Sequence, residues 1–246
     1  MKRLLLGPSA TAQGLRQAPR EVAVVYVEAG SAQRTNELAV LANARNVRCE
    51  ERTRGELDAL ARGQAHDGAL AITGDYPYVA LDELIERAKP APLFIALDQV
   101  TDPHNFGAIV RSAVGLGADG VITLKDRAAP VTAAVVRASA GATELAKIAR
   151  VTNLARSLHE LQDSGLQIVG LDMNGSSELR AVEYPAAGRI LVVGSEGSGL
   201  RRLVREQCDV VAFIAMRGAL QSLNVSVAAA IALYQSSAQR PASVEC

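Results

Sequence analysis

From Leu93 onward the chain alternates short, wholly apolar runs with stretches whose apolar residues recur every three or four positions. The runs LFIAL (93–97), GVITL (120–124), LQIVGLD (166–172), RILVVG (189–194) and VVAFIA (210–215) predict buried strands. Between them the helical spacing predicts helices over 106–117, 131–140, 153–163 and 200–207, with a last one over 225–237. Strands apolar on both faces and separated by helices predict a parallel sheet covered on both sides. Ligands of such sheets bind beyond the carboxyl ends of the strands.

The first 75 residues predict a smaller α/β domain. MKRLLLGPSATA supplies a first strand; EVAVVYV (21–27) and 69–73 supply further strands. Helices are predicted over 31–43 and 53–62, with Ser31 and Thr53 as their N-caps. Residues 76–92 (YPYVALDELIERAKPAP) hold a short amphipathic helix between prolines, which suits an interdomain connector. The expected organisation is therefore a domain over 1–75, a linker over 76–92 and a larger domain over 93–246.

Composition narrows the partners. The 246 residues are 49% hydrophobic, enough for an ordinary core. The apolar run near Met1 is shorter than the roughly 7 to 15 residues of an export signal, and none approaches the roughly 20 that span a bilayer. Cys49, Cys208 and Cys246 are widely spaced, without the spacing of a zinc site or disulfide framework, so no metal is expected and a reducing cytoplasm fits. The formal net charge is zero, so any nucleic-acid site must be local. Candidate basic clusters are Arg45, Arg48, Arg52 and Arg54; Lys125 and Arg127; and Arg201, Arg202 and Arg205, each also explicable as a solvated face.

Three loops at strand ends carry the candidate chemistry. Loop one, DQVTDPHNFGAIVR (98–111), offers caps between Asp102 and Asn105 and places Arg111 inside the following helix; spacing leaves Asn105 as a cap or a functional amide. Loop two, GSEGSGL (194–200), opens a helix but matches neither the dinucleotide fingerprint, the phosphate loop nor the nucleophile elbow. Its Glu196 suits a ligand with positive charge or hydroxyl donors, or serves the helix dipole. Loop three, MRGALQSLN (216–224), contains Ser222 and Asn224, either of which can cap the last helix. His66, His104 and His159 show no spacing for a triad or a metal.

In order and together, DPHNFGAIVRSA, VVGSEGSGL and IAMRGALQSLNVSVA resemble the three signature motifs of the SpoU class of SPOUT RNA ribose 2′-O-methyltransferases, over nearly all of 93–235. The resemblance implies a parallel-sheet domain tied in a trefoil knot and S-adenosylmethionine as cofactor. Matched positions imply cofactor contacts at Gly194, Ile214, Met216 and Leu223, and catalytic or substrate-positioning roles for Asn105, Arg111, Glu196, Ser222 and Asn224. Arg111 is implied either as a base or, since arginine is almost always protonated, as a cation that stabilises a developing alkoxide. A homodimer is implied too, with Arg111 reaching toward a neighbour's cofactor pocket. The N-terminal domain resembles the family's L30e-like RNA-binding domain, AHDGALA (65–71) matching its end, whereas GPSA (7–10) lacks the usual histidine or asparagine and Ala215 replaces a common proline. Overall likeness within the family points to a guanosine of 23S ribosomal RNA as target. The rivals are a tRNA or resistance-type rRNA methyltransferase of the same fold and a non-catalytic RNA-binding assembly factor. A dinucleotide-dependent oxidoreductase is disfavoured because the glycine fingerprint is absent.

Overall fold

The computed structural model describes residues 3–30, 33–218 and 222–241, and they form two units. Along the first unit run β1 (Arg3–Leu6), α1 (Pro8–Gln17), β2 (Val22–Glu28), α2 (Gln33–Ala44), β3 (Cys49–Arg52), α3 (Arg54–Leu60) and β4 (Ala69–Thr73). The strands make a mixed sheet in the order β1-β4-β2-β3, with β2 and β3 parallel and the β4 pairings antiparallel. In β2 the alternation of the sequence puts Val22, Val25 and Val27 in the core. Thr53 caps α3 as expected, within a capping box completed by Glu56. The expected cap Ser31 lies outside the described residues. Helix α1 and strands β3 and β7 (given below) escaped the apolar pattern. The first is built largely from small and polar residues, and Gly14 lets it sit directly on the sheet, since a Cβ there would stand 2.3 Å from Leu5.

Residues 130–145 also belong to this unit, although the sequence reading places them in the C-terminal domain. They contain α6 (Ala133–Ala138), shorter than the helix expected over 131–140, followed by a 3-10 turn at Ala142–Glu144. Glu144 forms a two-point ion pair with Arg3, both side chains being more than nine-tenths buried. The Arg3 guanidinium also lies over the Tyr76 ring at 5.2 Å, and the Tyr76 hydroxyl donates to the Thr143 carbonyl at 2.9 Å. Gly141, at φ 84°, lets the turn approach the backbone of Ala10.

In chain order the second unit contains α4 (Leu81–Glu86), β5 (Leu93–Asp98), α5 (Pro103–Gly115), β6 (Gly120–Leu124) and β7 (Ile148–Val151). It continues with α7 (Leu154–Asp163), β8 (Gln167–Leu171), β9 (Ser177–Glu178), β10 (Arg189–Gly194), α8 (Arg202–Glu206), β11 (Val210–Phe213) and α9 (Val225–Gln239). The sheet order is β7-β6-β5-β10-β8-β11-β9 and every pairing is parallel, as the apolar runs predict. All carboxyl ends therefore share one edge. From β5 the chain first builds outward through β6 and β7, then returns to build on the other side, with β10 beside β5. That reversal makes the β5/β10 junction the switch point at which open α/β sheets bind ligands.

Leu84, within the stretch read as a connector, is buried against Gly120, where a Cβ would meet it at 2.4 Å. Arg189, at the start of β10, is fully buried; it donates to Gln167, to the Ser236 hydroxyl on α9 and to the Val182 carbonyl, and stacks 4.9 Å from the Tyr184 ring centre. Burial pushes the Tyr184 phenol up to about 12.

Removing one partner of a buried ion pair leaves the other charge uncompensated. Glu144→Ala is expected to lower the unfolding free energy by about 3–5 kcal/mol in urea denaturation, and restoring a neutral pair with Arg3→Met is expected to recover part of that loss.

Candidate active site

Loop one begins where β5 ends. Asp102, not Asn105, is the N-cap of α5; its carboxylate accepts from the backbone N–H of His104 at 3.3 Å and of Asn105 at 3.0 Å, with Pro103 in the first turn. This leaves the Asn105 side chain free to act elsewhere. It is buried and donates to Glu196 Oε1 of loop two at 2.9 Å. Its carbonyl oxygen accepts from Asn224 Nδ2 of loop three at 3.0 Å, and the same amide nitrogen donates to Glu196 Oε1 at 2.5 Å. Asn224 meanwhile caps α9, its Oδ1 accepting from the Ser226 backbone N–H and hydroxyl. Asn224 thus caps a helix with one end of its amide and reaches loops one and two with the other. Three loops distant in sequence converge on one carboxylate oxygen, which fixes the plane of Glu196.

Beside this triad lies a cavity of about 510 Å³. Of the residues singled out in the sequence, Gly194, Glu196, Ile214, Met216, Ser222, Leu223 and Asn224 line it, together with Asp172 and Met173 after β8. Asn105 reaches the wall through Glu196. Residues Ala219–Gln221 of loop three lie outside the described residues. Arg111 is exposed on α5; six residues at roughly 100° each turn it about 120° around the helix from Asn105, away from the face that meets the triad. Gly194 is required by packing, since a Cβ there would fall 2.1 Å from the Gly199 carbonyl carbon. Loop two folds back on itself through Gly199 N–H to the Ser195 carbonyl at 3.0 Å and a 2.6 Å contact between the Ser195 and Ser198 hydroxyls.

Two aspartates were missed by sequence reasoning. Asp98 is buried and takes Arg201; Asp172 pairs with Arg205 at 2.8 Å and accepts from the Asn174 N–H at 2.8 Å. The available signal was an acid closing an otherwise apolar strand, in LFIALD and in LQIVGLD. These pairs also revise the basic cluster at 201–205, whose third member Arg202 is bound to Glu206 at 2.6 Å. Likewise Arg48, Arg52 and Arg54 are held by Glu50 and Glu28. Lys125 and Arg127 stand exposed after β6. His66 is buried, bonded to Asp58 at 3.0 Å and to the Gly68 N–H, and His159 lies 3.8 Å from Asp163 on α7. Burial pushes the Cys208 thiol up to about 12, so its reactivity is suppressed.

Comparison with known proteins shows the family. Residues 92–234 match the family model described as SpoU rRNA methylase family. The chain belongs to the SpoU rRNA methylase family. Residues 4–79 match the model for RNA 2′-O ribose methyltransferase substrate binding. Among curated relatives, the 23S rRNA (guanosine-2′-O-)-methyltransferase RlmB of Neisseria meningitidis is 37% identical over 241 residues, covering 97% of this chain and 96% of that protein. Its counterpart from Pseudomonas syringae is 39% identical over 233 residues, covering 93% and 92%. The crystal structure of the SpoU methyltransferase AviRb from Streptomyces viridochromogenes in complex with AdoMet superposes with a TM-score of 0.82 at 24% identity, covering 97% and 90%; it supports the fold.

The chain is accordingly an RNA 2′-O-methyltransferase, and S-adenosylmethionine is its methyl donor. The residues present fit that molecule. The cavity has the size of a small-molecule site, its floor at Gly194 admits no side chain, Ile214 and Leu223 offer apolar contact, and Glu196 supplies a carboxylate at the rim. When bound, the donor supplies an electrophilic methyl group on a sulfonium.

Because a methyl at Gly194 has no room, Gly194→Ala is expected to displace loop two. Titration calorimetry is expected to show S-adenosylmethionine affinity reduced by about tenfold or more, with the far-ultraviolet circular dichroism unchanged.

Proposed function

We propose that this chain methylates the ribose 2′-hydroxyl of a guanosine in 23S ribosomal RNA, acting in the cytoplasm as a homodimer. The observation that carries the catalytic part is the convergence of Asn105 and Asn224 on Glu196 at the cavity rim. The choice of RNA rests on near full-length likeness to proteins named for that reaction, and the cytoplasm follows from that substrate.

In this reading the donor would supply its methyl carbon to the ribose oxygen and keep the carbon–sulfur electron pair as a neutral thioether, with the hydroxyl proton passing to solvent water. Gly194, Ile214, Met216 and Leu223 hold the donor. Glu196, kept in place by Asn105 and Asn224, and the exposed Ser222 hydroxyl position the donor and the ribose. In-line alignment of this kind supplies much of the rate enhancement. Arg111 acts on the partner's reaction as a cation facing the developing alkoxide. A second copy is supported by α9, where Val227, Ile231 and Tyr234 are exposed at the spacing of one helical face, and by the packing of α9 on α5, which carries Arg111. The family's trefoil knot belongs to the same reading, supported by α9 packing on α5 and β10 while its cap residue reaches loop two. The exposed Lys125 and Arg127 serve as phosphate contacts.

The deciding experiment is ribose-methylation mapping after reaction of the protein with S-adenosylmethionine and a mixture of ribosomal RNA and tRNA. A single methylated guanosine in 23S RNA is expected; methylation of tRNA alone would overturn the choice of substrate. Arg111→Ala is expected to lower the single-turnover rate about 10²- to 10³-fold, as removal of an oxyanion partner does, with donor affinity unchanged. A variant Arg111→Lys that keeps most of the rate would argue against a role for guanidinium geometry. Replacing Lys125 and Arg127 by glutamine is expected to weaken RNA binding and to flatten its log–log salt dependence by about 0.7 per lost single-strand phosphate contact.

A further inference from the structure

We propose that Asp98 is a positioning residue that sets loop two through Arg201, and with it the cofactor cavity. The proposal rests on the methyltransferase reading of that cavity. Asp98 does not line the cavity and touches none of Asn105, Glu196 or Asn224. Its side chain has no solvent exposure, and it takes two hydrogen bonds and an ion-pair contact from one residue. Oδ2 accepts from the Arg201 backbone N–H at 2.9 Å, Oδ1 accepts from Arg201 Nε at 2.6 Å, and Nη2 pairs with the same Oδ1 at 2.6 Å.

The position of Asp98 makes this more than a stray ion pair. In the parallel ladder it stands opposite Gly194, the residue that opens loop two. Through its carboxylate it grips Arg201, the residue that follows loop two and precedes α8. Both ends of Gly194–Leu200 are thus tied to a single residue of β5. Arg201 stands at the head of α8, and its backbone N–H is taken by the Asp98 carboxylate from the end of β5. A carboxylate buried without a partner is strongly unfavourable, so Asp98 cannot release Arg201 cheaply. One residue further on, Gln99 turns into the left-handed region at φ 62° and the chain leaves for loop one. The same strand end therefore launches the loop bearing Asn105 and clamps the loop bearing Glu196. The 2.9 Å bond between those two side chains depends on both loops keeping their offsets from β5.

The test uses the full-length chain. Hydrogen–deuterium exchange without added ligand is read on peptides covering 194–201, and S-adenosylmethionine affinity is read by calorimetry. Asp98→Asn and Arg201→Gln are each expected to speed exchange in 194–201 while 93–97 and 225–239 keep their rates, and to lower affinity about tenfold, the scale at which residues that orient a direct contact act. The double variant, which leaves no buried charge unpaired and so folds if a single variant does not, is expected to match the worse single variant. Glu144→Gln, which perturbs the other unit, is expected to leave 194–201 unchanged. Unaltered exchange in 194–201, faster exchange with full affinity, or additive effects in the double variant would each overturn the proposal. A wild-type chain that binds no S-adenosylmethionine would instead overturn the methyltransferase reading, and the exchange rates alone would then decide whether Asp98 sets the loop.

Discussion

Six residue pairs join β5 to β10, from Leu93 opposite Arg189 to Asp98 opposite Gly194, and the register of that ladder governs everything at the carboxyl edge of the sheet. A slip of one residue would turn the side chains of β10 to the opposite face. It would carry Gly194 away from the Asp98 position and part Glu196 from Asn105. The register is held by burial on both faces, since every residue of the two strands is buried, and at its start by Arg189, which is bound to β8 and α9 at once. A charge inside a sheet core is an unusual anchor. It is tolerated because several acceptors and the Tyr184 ring replace its water.

Polar side chains at the edge are used economically. Asp102 takes over the capping of α5, which leaves Asn105 for Glu196. Asn224 caps α9 with its oxygen and reaches the other loops with its nitrogen. An asparagine can do both because its amide carries acceptor and donor at opposite ends, which neither aspartate nor serine can reproduce with the same reach. The result is a carboxylate held by two side-chain amides beside the cavity, with no ion pair to it among the described residues.

Charge elsewhere follows the same division. The chain is neutral overall, and much of its arginine is spent on internal pairs: Arg3 with Glu144, Arg201 with Asp98, Arg205 with Asp172, Arg240 with Asp119. Clusters that look basic in the sequence are therefore partly neutralised in the fold. Exposed cations such as Arg111, Lys125 and Arg127 stand on the unit that carries the cavity.

Legible in the amino-acid sequence alone were the parallel sheet of the second unit, the smaller α/β unit before it, the N-cap at Thr53 and the three loops in order. Each of these is written in local patterns: runs of apolar residues, helical spacing, or a capping residue at the head of a periodic stretch. Strands β3 and β7 and helix α1 were not legible. CEER, IARV and PSATAQGLRQ lack a strong period and take their form from the neighbours they pack on. The attachment of 130–145 to the first unit was equally hidden, because it depends on Arg3 meeting Glu144 across 141 positions. The same holds at the site. Loop residues were readable one by one, yet whether Asn105 caps a helix or holds Glu196 is settled by a contact spanning 91 positions, and Asp98 acquires its role only from Arg201, 103 positions away. Local periodicity reports which face of an element is apolar; it carries no information on which polar side chain will stand opposite another once the sheet has closed, and only the tertiary structure decides that.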